Sequence, residues 1–495
     1  MPTAPAIGMR ALTGLTRLTR VLPGAAGDRG RYFTALQRLE DGESRGWRAA
    51  TARLLARSDA EAERGRDRDA LAWYDKALRL AHHPTLHYTG EGSLLARDPA
   101  AFLAPFRASR VGGSLLDGDA PAADVPRPSL RERDAGEPLR LLVIAQRNWT
   151  FVDPVLTGLE ETGGVIVRRL EVDDLPLAER PTRERVLQAA HDRWTAGRRL
   201  PTPTAVHAGY DWADSVLVEW GHHVLTWVSL LDERPRLLSA RLHRFEAYTP
   251  FPLLTDFAAV DRLLFVSPTV SRLLAQLAPR LADVGRVIDV DNQLARGLGP
   301  EPEGERDPYL LAMVGWTPPV KDADFALDLL QELRSRDERF RLLLIGPGLP
   351  SDPARDTAHA SHLRERRSRF PATAIEELGV RRDVPELLTG AGWILSCSRV
   401  ESVHEAVMEG LAAGCAPVVR DWPDAVPYGG ARAIYPDPWV VPDVPAAAAR
   451  IRAVLETGRL AEESREARAW VVERRSPHRV IADYRRALEP EQHPA

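Results

Sequence analysis

The sequence predicts an α/β protein: two successive doubly wound domains facing a cleft, with a helical extension in front of them. Three observations carry that prediction. Short apolar runs alternate with helical patterns over residues 139–290, and the same alternation returns over 309–419. Strands that alternate with helices fold as parallel sheets. A Pro/Glu/Gly-rich stretch at 299–308 separates the two series. Residues 1–115 show helical periodicity, and residues 113–138 have the Pro-, Gly- and Asp-rich composition of a linker.

The elements follow in order. Asp69–Leu80 has apolar residues at three- and four-residue spacing, which predicts a helix. It is compatible with one helix of a tetratricopeptide-type hairpin and equally with a helix packed on the body of the protein. The first domain has strand-like runs at Leu139–Gln146, Ser215–Glu219, His223–Ser229, Arg262–Val266 and Val287–Val290. The second has them at Tyr309–Val314, Phe340–Ile345, Trp393–Ser396 and Ala416–Val419. His478–Leu488 reads as a final amphipathic helix. The predicted divisions are a helical region at 1–115, a linker at 116–138, α/β domains at 139–305 and 306–475, and a C-terminal helix and tail at 476–495.

A chain of 495 residues is too long for one core and fits two or three domains. Its net charge of −4 argues against a nucleic-acid partner, because no global basic field is present. Two cysteines, Cys397 and Cys415, give no disulfide framework and fit a reduced cytoplasmic setting. No apolar run reaches the roughly 18 residues a membrane-spanning helix needs. Arg10, Arg17 and Arg20 interrupt every apolar stretch at the N-terminus, which removes a signal-peptide core. Residues 9–22 are basic and periodic. They allow a peripheral helix at the inner face of a membrane, and a plain solvent-faced helix serves as well.

The residues that carry chemistry lie at Ser396–Val419. A strand ends at Ser396, a loop holds Arg399 and Glu401, a helix is predicted from Ser402 to Ala413, and Gly414 stops it. Ligands of open α/β sheets bind outside the carboxyl ends of the strands. A helix start offers free amides and a positive dipole end to a phosphate. On a helix, eight residues from Glu401 to Glu409 would rise about 12 Å, roughly the span from a sugar hydroxyl to a ribose across a diphosphate. The competing reading is a solvated acidic helix face.

This segment closely resembles the E-x7-E motif of retaining GT-B glycosyltransferases of the family 4 type. The resemblance covers about 139–490. It implies a GT-B fold, with two Rossmann-like domains facing a cleft, behind a helical extension that it does not cover. It implies that Glu401 meets the donor sugar and that Glu409 binds the ribose hydroxyls. Ser402, Val403 and His404 stand where many members have Gly-Phe-Gly. Leu311–Lys321 is similar to the family's V-G-R-x-x-x-x-K loop, which places Gly315 beside the donor and gives Lys321 the diphosphate. Trp316 replaces the usual Arg there; Arg399 is a candidate substitute cation, and Trp316 a candidate for stacking on a ligand. Leu342–Leu349 resembles the strand ending in Gly-x-Gly. Glu377–Ser396 resembles the nucleotide-base loop, with Val380 and Arg381 bordering the base through backbone atoms. Ser239–Glu246 resembles an Arg-x-His segment whose His243 faces the donor sugar, although a structural histidine is also consistent. Asp289–Gln293 resembles the Asn-containing turn before the interdomain linker.

The activity implied is transfer of a sugar from a UDP, GDP or ADP sugar with retained configuration. Glu401, Lys321 and His243 would be the catalytic groups, with no required cofactor or metal. Asp173–Asp174 and Asp211–Asp214 lack the Asp-x-Asp form of a cation site. The acceptor is open among glycan, lipid, protein and small molecule, with cell-envelope polysaccharide or glycoconjugate synthesis as one setting. The helical region could serve a homo-oligomer or a large acceptor. Two rivals remain: a non-hydrolysing sugar-nucleotide epimerase of the same fold, and a non-catalytic helical-repeat adaptor on a degenerate transferase domain.

Overall fold

The computed structural model describes residues 24–88, 92–118, 125–134, 136–294, 297–298, 304–352 and 357–491. The basic segment 9–22 lies outside the described residues. The chain opens with helices α1 (Gly24–Glu40), α2 (Trp47–Ala62), α3 (Asp67–Ala81), α4 (Leu94–Arg97), α5 (Pro99–Arg107) and α6 (Arg110–Leu116). Ser93, Asp98 and Ser109 cap the last three through their side-chain oxygens. The predicted helix at 69–80 is α3, paired with α2 across a short turn.

The first α/β unit runs β1 (Leu139–Ala145), α7 (Asp153–Glu161), β2 (Val165–Glu171), α8 (Arg183–Ala196), α9 (Thr204–Trp212), β3 (Ser215–Glu219), α10 (His223–Ser229), β4 (Leu238–Leu242), α11 (Arg244–Ala247), β5 (Arg262–Phe265), α12 (Pro268–Leu277) and β6 (Arg286–Asp289). Its six parallel strands lie in the order β2-β1-β3-β4-β5-β6. The second unit runs β7 (Asp307–Val314), α13 (Ala323–Arg334), β8 (Arg341–Ile345), α14 (Ala358–Ser368), β9 (Ile375–Gly379), α15 (Val384–Leu388), β10 (Ala391–Ser396), α16 (Glu405–Ala412), β11 (Ala416–Arg420), β12 (Val440–Val441) and α17 (Val444–Glu456). Its strand order is β12-β11-β10-β7-β8-β9, again all parallel. Helices α18 (Leu460–Arg475) and α19 (Pro477–Leu488) close the chain. The fold is the two-domain α/β arrangement with an N-terminal helical region that the sequence predicts.

One predicted strand is a helix. His223–Ser229 forms α10, and its residues from Val224 to Ser229 are all buried. A helix covered on every side shows no polar face, so its sequence reads as an apolar strand. Four strands escaped the sequence reading. The edge strands β2 and β9 are half exposed and charged, β12 has two residues, and β4 holds the buried Arg241.

Two connections position the cleft. The helical extension shares one continuous core with the first α/β unit, from Tyr32 through Trp227 to Leu281. Helix α19 crosses back to that unit, burying Val480, Ile481 and Tyr484 against β1 and α7.

Candidate active site

The loop after β10 is built around a buried carboxylate. Lys321 Nζ donates to Glu401 Oε1 at 2.6 Å, and Ser398 Oγ donates to the same oxygen at 2.8 Å. Arg244, from the first α/β unit, approaches Glu401 Oε2 at 3.7 Å and donates to the Val400 carbonyl. Burial raises the Glu401 pKa, but the charges of Arg244 and Lys321 outweigh it, so the carboxyl lies well below its usual range. Glu401 is therefore ionised at neutral pH, in a nest of two cations contributed by both units.

The helix that follows starts later than the sequence predicts. Helix α16 begins at Glu405, with His404 as its N-cap at φ 68. Glu401 therefore lies in the loop ahead of the helix, and the 12 Å helical rise assumed between Glu401 and Glu409 does not apply. Gly414, at φ 82, does follow the helix end. The first amides of a helix have no intrahelical acceptor, and α16 starts four residues after Glu401, the carboxylate that Lys321 holds. Asn292, in the predicted Asn-containing turn, donates to Glu405 at 3.1 Å, and Arg475 lies 3.4 Å from the same carboxylate.

His404 is buried. Its Nδ1 lies 2.7 Å from Ser396 Oγ, which also accepts from Trp422 Nε1 at 3.0 Å. Its Nε2 is buried without a partner. Burial, with Lys321 adding to it, pushes the imidazole down to about 3, so it is neutral. Val403 is buried and its carbonyl accepts from Tyr435 Oη at 2.5 Å, whereas Ser402 is half-buried. Glu409 lies on α16, half-buried. Gly315, at φ 74, ends β7 beside Gly346, where an added Cβ would come within 3.2 Å of the Gly315 nitrogen. A Cβ on Gly315 would lie 4.0 Å from Lys321 Cε, which puts Lys321 beside the end of β7.

Trp316, Arg399 and Arg381 are engaged elsewhere, and Val380 is exposed. Trp316 is 1% exposed and packs in the core of the second unit with Leu311, Phe325 and Trp393. The ring is enclosed by those side chains and by the Arg367 guanidinium, 5.5 Å from its centroid, so it offers no open face to a ligand; this corrects the stacking reading. Arg399 is held by Asp424 through bonds of 3.0 and 3.1 Å, which neutralises the charge it would lend to a diphosphate. Val380 is 76% exposed after β9, and Arg381 pairs with Asp383 at 2.5 Å in solvent.

His243 lies at the end of β4, 3.3 Å from Glu219 and against the Trp220 ring at 4.3 Å. Burial lowers its pKa, and Arg241 adds to that against the Glu219 hydrogen bond. It is a neutral histidine on the first unit's side, bonded to Glu219 and capping the start of α11. Sequence reading missed its neighbour Arg244, which is the residue that crosses to Glu401. The signal was present in Ser239–Glu246, one position beyond the histidine. Among the described residues, no group of three His, Cys, Asp or Glu side chains is placed to hold a metal ion, and no helix is long and apolar enough to cross a membrane. A cavity of about 870 Å³ between α1, α3 and α8 lies away from this cluster; Tyr32, Lys76 and Glu184 line it.

All four non-glycine residues with left-handed backbone among the described residues follow the carboxyl ends of strands. They are Arg147 after β1, Trp220 after β3, Asp322 in the loop after β7 and His404 in the loop after β10. Such conformations cost energy and gather at functional sites, which marks the same ends of both sheets.

Residues 308–457, from β7 through α17, match the model of the family Glycosyl transferases group 1. The second α/β unit thus carries a glycosyltransferase signature. No curated protein matches the chain. Among solved structures, the chain is similar to TarM of S. aureus (12% identity, TM-score 0.44), with 55% of this chain and 54% of that one covered. It spans about half the length of that protein. It is also similar to Anabaena Alr3699/HepE in complex with UDP and glucose (12% identity, TM-score 0.47, covering 70% and 98%). A third is the pneumococcal O-GlcNAc transferase GtfA in complex with UDP and GlcNAc (14% identity, TM-score 0.42, covering 57% and 58%).

Proposed function

We propose that the protein is a GT-B glycosyltransferase of the retaining, family 4 type. It would move a sugar from a nucleotide diphosphate sugar to an acceptor bound against the first α/β unit. The observation that carries this reading is the cluster of Glu401, Lys321 and Arg244 beside the start of α16, inside the family-matched region for all but Arg244. The diphosphate would lie between Lys321 and the first amides of α16, where charge growing on the leaving group is stabilised by a cation and a helix dipole. Lys321 would then exchange part of its bond to Glu401 for phosphate oxygens.

Glu401, ionised and facing the sugar end, would hydrogen-bond sugar hydroxyls and favour positive charge developing at the anomeric carbon. Glu219, the buried carboxylate beside His243, is held by Arg241 and is not used as a covalent nucleophile in this reading. The leaving phosphate would take the acceptor's proton on the face it departs from, which retains configuration. Glu409 would hold the ribose, Val380 and Arg381 would border the base through their backbone, and His243 would meet the sugar from the first unit.

The test is turnover of UDP, GDP and ADP sugars by the purified chain beside Glu409→Ala. The reading expects release of one nucleoside diphosphate by the wild type and strongly weakened donor use by the variant. Failure of the wild type to bind any of them, with identical behaviour of Glu409→Ala, would sink it. Conversion of the nucleotide sugar to an epimer without any acceptor would instead favour the epimerase rival.

A further inference from the structure

The Glu401 cluster has one wall that belongs to neither α/β unit. Tyr88 comes from the helical extension, between α3 and α4, and its ring packs against the cores of both units. The Arg244 guanidinium lies over that ring, 5.3 Å from its centroid, and the Tyr248 ring meets it at 5.5 Å. The Tyr88 hydroxyl is buried and has no hydrogen-bond partner. A buried hydroxyl left unpaired is costly, and native proteins keep such atoms where a ligand or water completes them.

The segments on either side of Tyr88 are tied to both units. His82 Nδ1 donates to the Tyr248 carbonyl at 2.9 Å, tying the end of α3 to the first unit. Tyr428 Oη donates to the Ala96 carbonyl at 2.6 Å, tying α4 to the second unit. Gly92, at φ 76, runs so close to Asp424 that an added Cβ would lie 2.8 Å from its Oδ1. Burial raises the Tyr88 phenol to about 12, with Arg244 opposing and Glu246 and Glu401 adding to it. The phenol therefore keeps its proton and can donate it.

A second unpaired donor flanks the same carboxylate. An indole N–H only donates, so Ser396 Oγ accepts from Trp422 and can turn its own hydrogen to His404 Nδ1. That assignment puts the imidazole hydrogen on the unpartnered Nε2. Two neutral donors from separate segments, both within the electrostatic reach of the ionised Glu401, fit a ring that carries several hydroxyls.

We propose that the helical extension supplies Tyr88 as a direct contact of the transferred sugar, its hydroxyl bonding a sugar hydroxyl beside Glu401. The extension would then be part of the donor pocket and a determinant of which sugar is accepted. This rests on the transferase reading above.

The test compares wild type and Tyr88→Phe by calorimetric titration with UDP-glucose, GDP-mannose and ADP-glucose, and with free UDP, GDP and ADP. Tyr88→Phe keeps the ring over Arg244 and removes only the oxygen. The expected result is about tenfold weaker binding of the preferred nucleotide sugar, with affinity for its free nucleoside diphosphate unchanged. Equal affinity of the two proteins for that nucleotide sugar overturns the inference. So does an equal weakening for the free diphosphate, which would make Tyr88 a support for Arg244 alone. A wild type that binds none of the six overturns the transferase reading and takes this inference with it.

Discussion

Glu219 and Glu401 sit at comparable places in the two sheets, and their surroundings could hardly differ more. Glu219 ends β3 and is locked to Arg241 through bonds of 2.5 and 2.8 Å, with both side chains wholly buried. Tyr484 of α19 takes a third Arg241 hydrogen at 2.7 Å, and His243 covers the remaining side. Glu401 is just as charged and nearly as buried, yet its cations Lys321 and Arg244 keep about a fifth of their side chains exposed, and two polar atoms near it are unpaired. A pair whose bonds are all used internally holds a fold together. A pair with spare donors at a helix start is built to exchange partners with a ligand. In the proposed reading the first sheet's carboxylate serves the structure and the second's would serve the chemistry.

The largest effect expected is on stability, at the closed pair. Arg241→Met would leave a buried carboxylate uncompensated and cost about 3–5 kcal/mol, read from urea unfolding. A loss below about 1 kcal/mol, the scale of an exposed pair, would break the comparison on its structural side. Trp316→Ala would cost a similar amount, about 3–5 kcal/mol, because it empties a core site. Trp316→Phe would keep donor turnover near wild type, and a selective loss of donor affinity in a stable Trp316→Phe protein would return Trp316 to the site.

At the open pair the order of effects reverses. Lys321→Ala would lower donor turnover by about 10²–10³ and leave the urea midpoint close to wild type. Equal damage to both would show that Lys321 is structural.

A pH experiment sharpens the contrast on the first unit's side. Burial raises the Glu246 carboxyl to about 8, although the His243 and Gly221 amides work against the shift. Its folded value is above its unfolded one, so the native state holds the extra proton. The stability it contributes is complete below about pH 4.5 and is lost as pH rises toward 8. Urea midpoints should therefore fall between those values and fall less in Glu246→Gln; parallel curves would contradict this. The smallest effect is expected at Arg381→Ala, where donor affinity should change less than about twofold because the side chain is spent on an exposed pair with Asp383.

Much of the second unit was legible in the sequence. Buried parallel strands such as YLLAMV and RLLLI are continuous apolar runs, and the spacing of Lys321, Glu401 and Glu409 stood out within a strand–loop–helix pattern. What could not be read was tertiary. The Arg241 position looks polar until Glu219 compensates it from the next strand. Arg244 is one more surface-type arginine until β4 aims it across the cleft. Trp316 looked available because a loop sequence does not reveal that its side chain turns into the core beside Phe325. The α16 boundary moved by three residues because His404 adopts a left-handed cap, which no local rule assigns to histidine there. Tyr88 was out of reach altogether, since it is separated from Glu401 by more than 300 residues.

The most direct test of the central claim is donor turnover and nucleoside diphosphate binding in Glu401→Gln. If Glu401 is the sugar-facing group of the donor site, turnover falls by at least about a hundredfold. Free nucleoside diphosphate binds as tightly as to wild type or more so, because Lys321 and Arg244 are released from the carboxylate. Unchanged turnover in a folded Glu401→Gln protein would contradict the account.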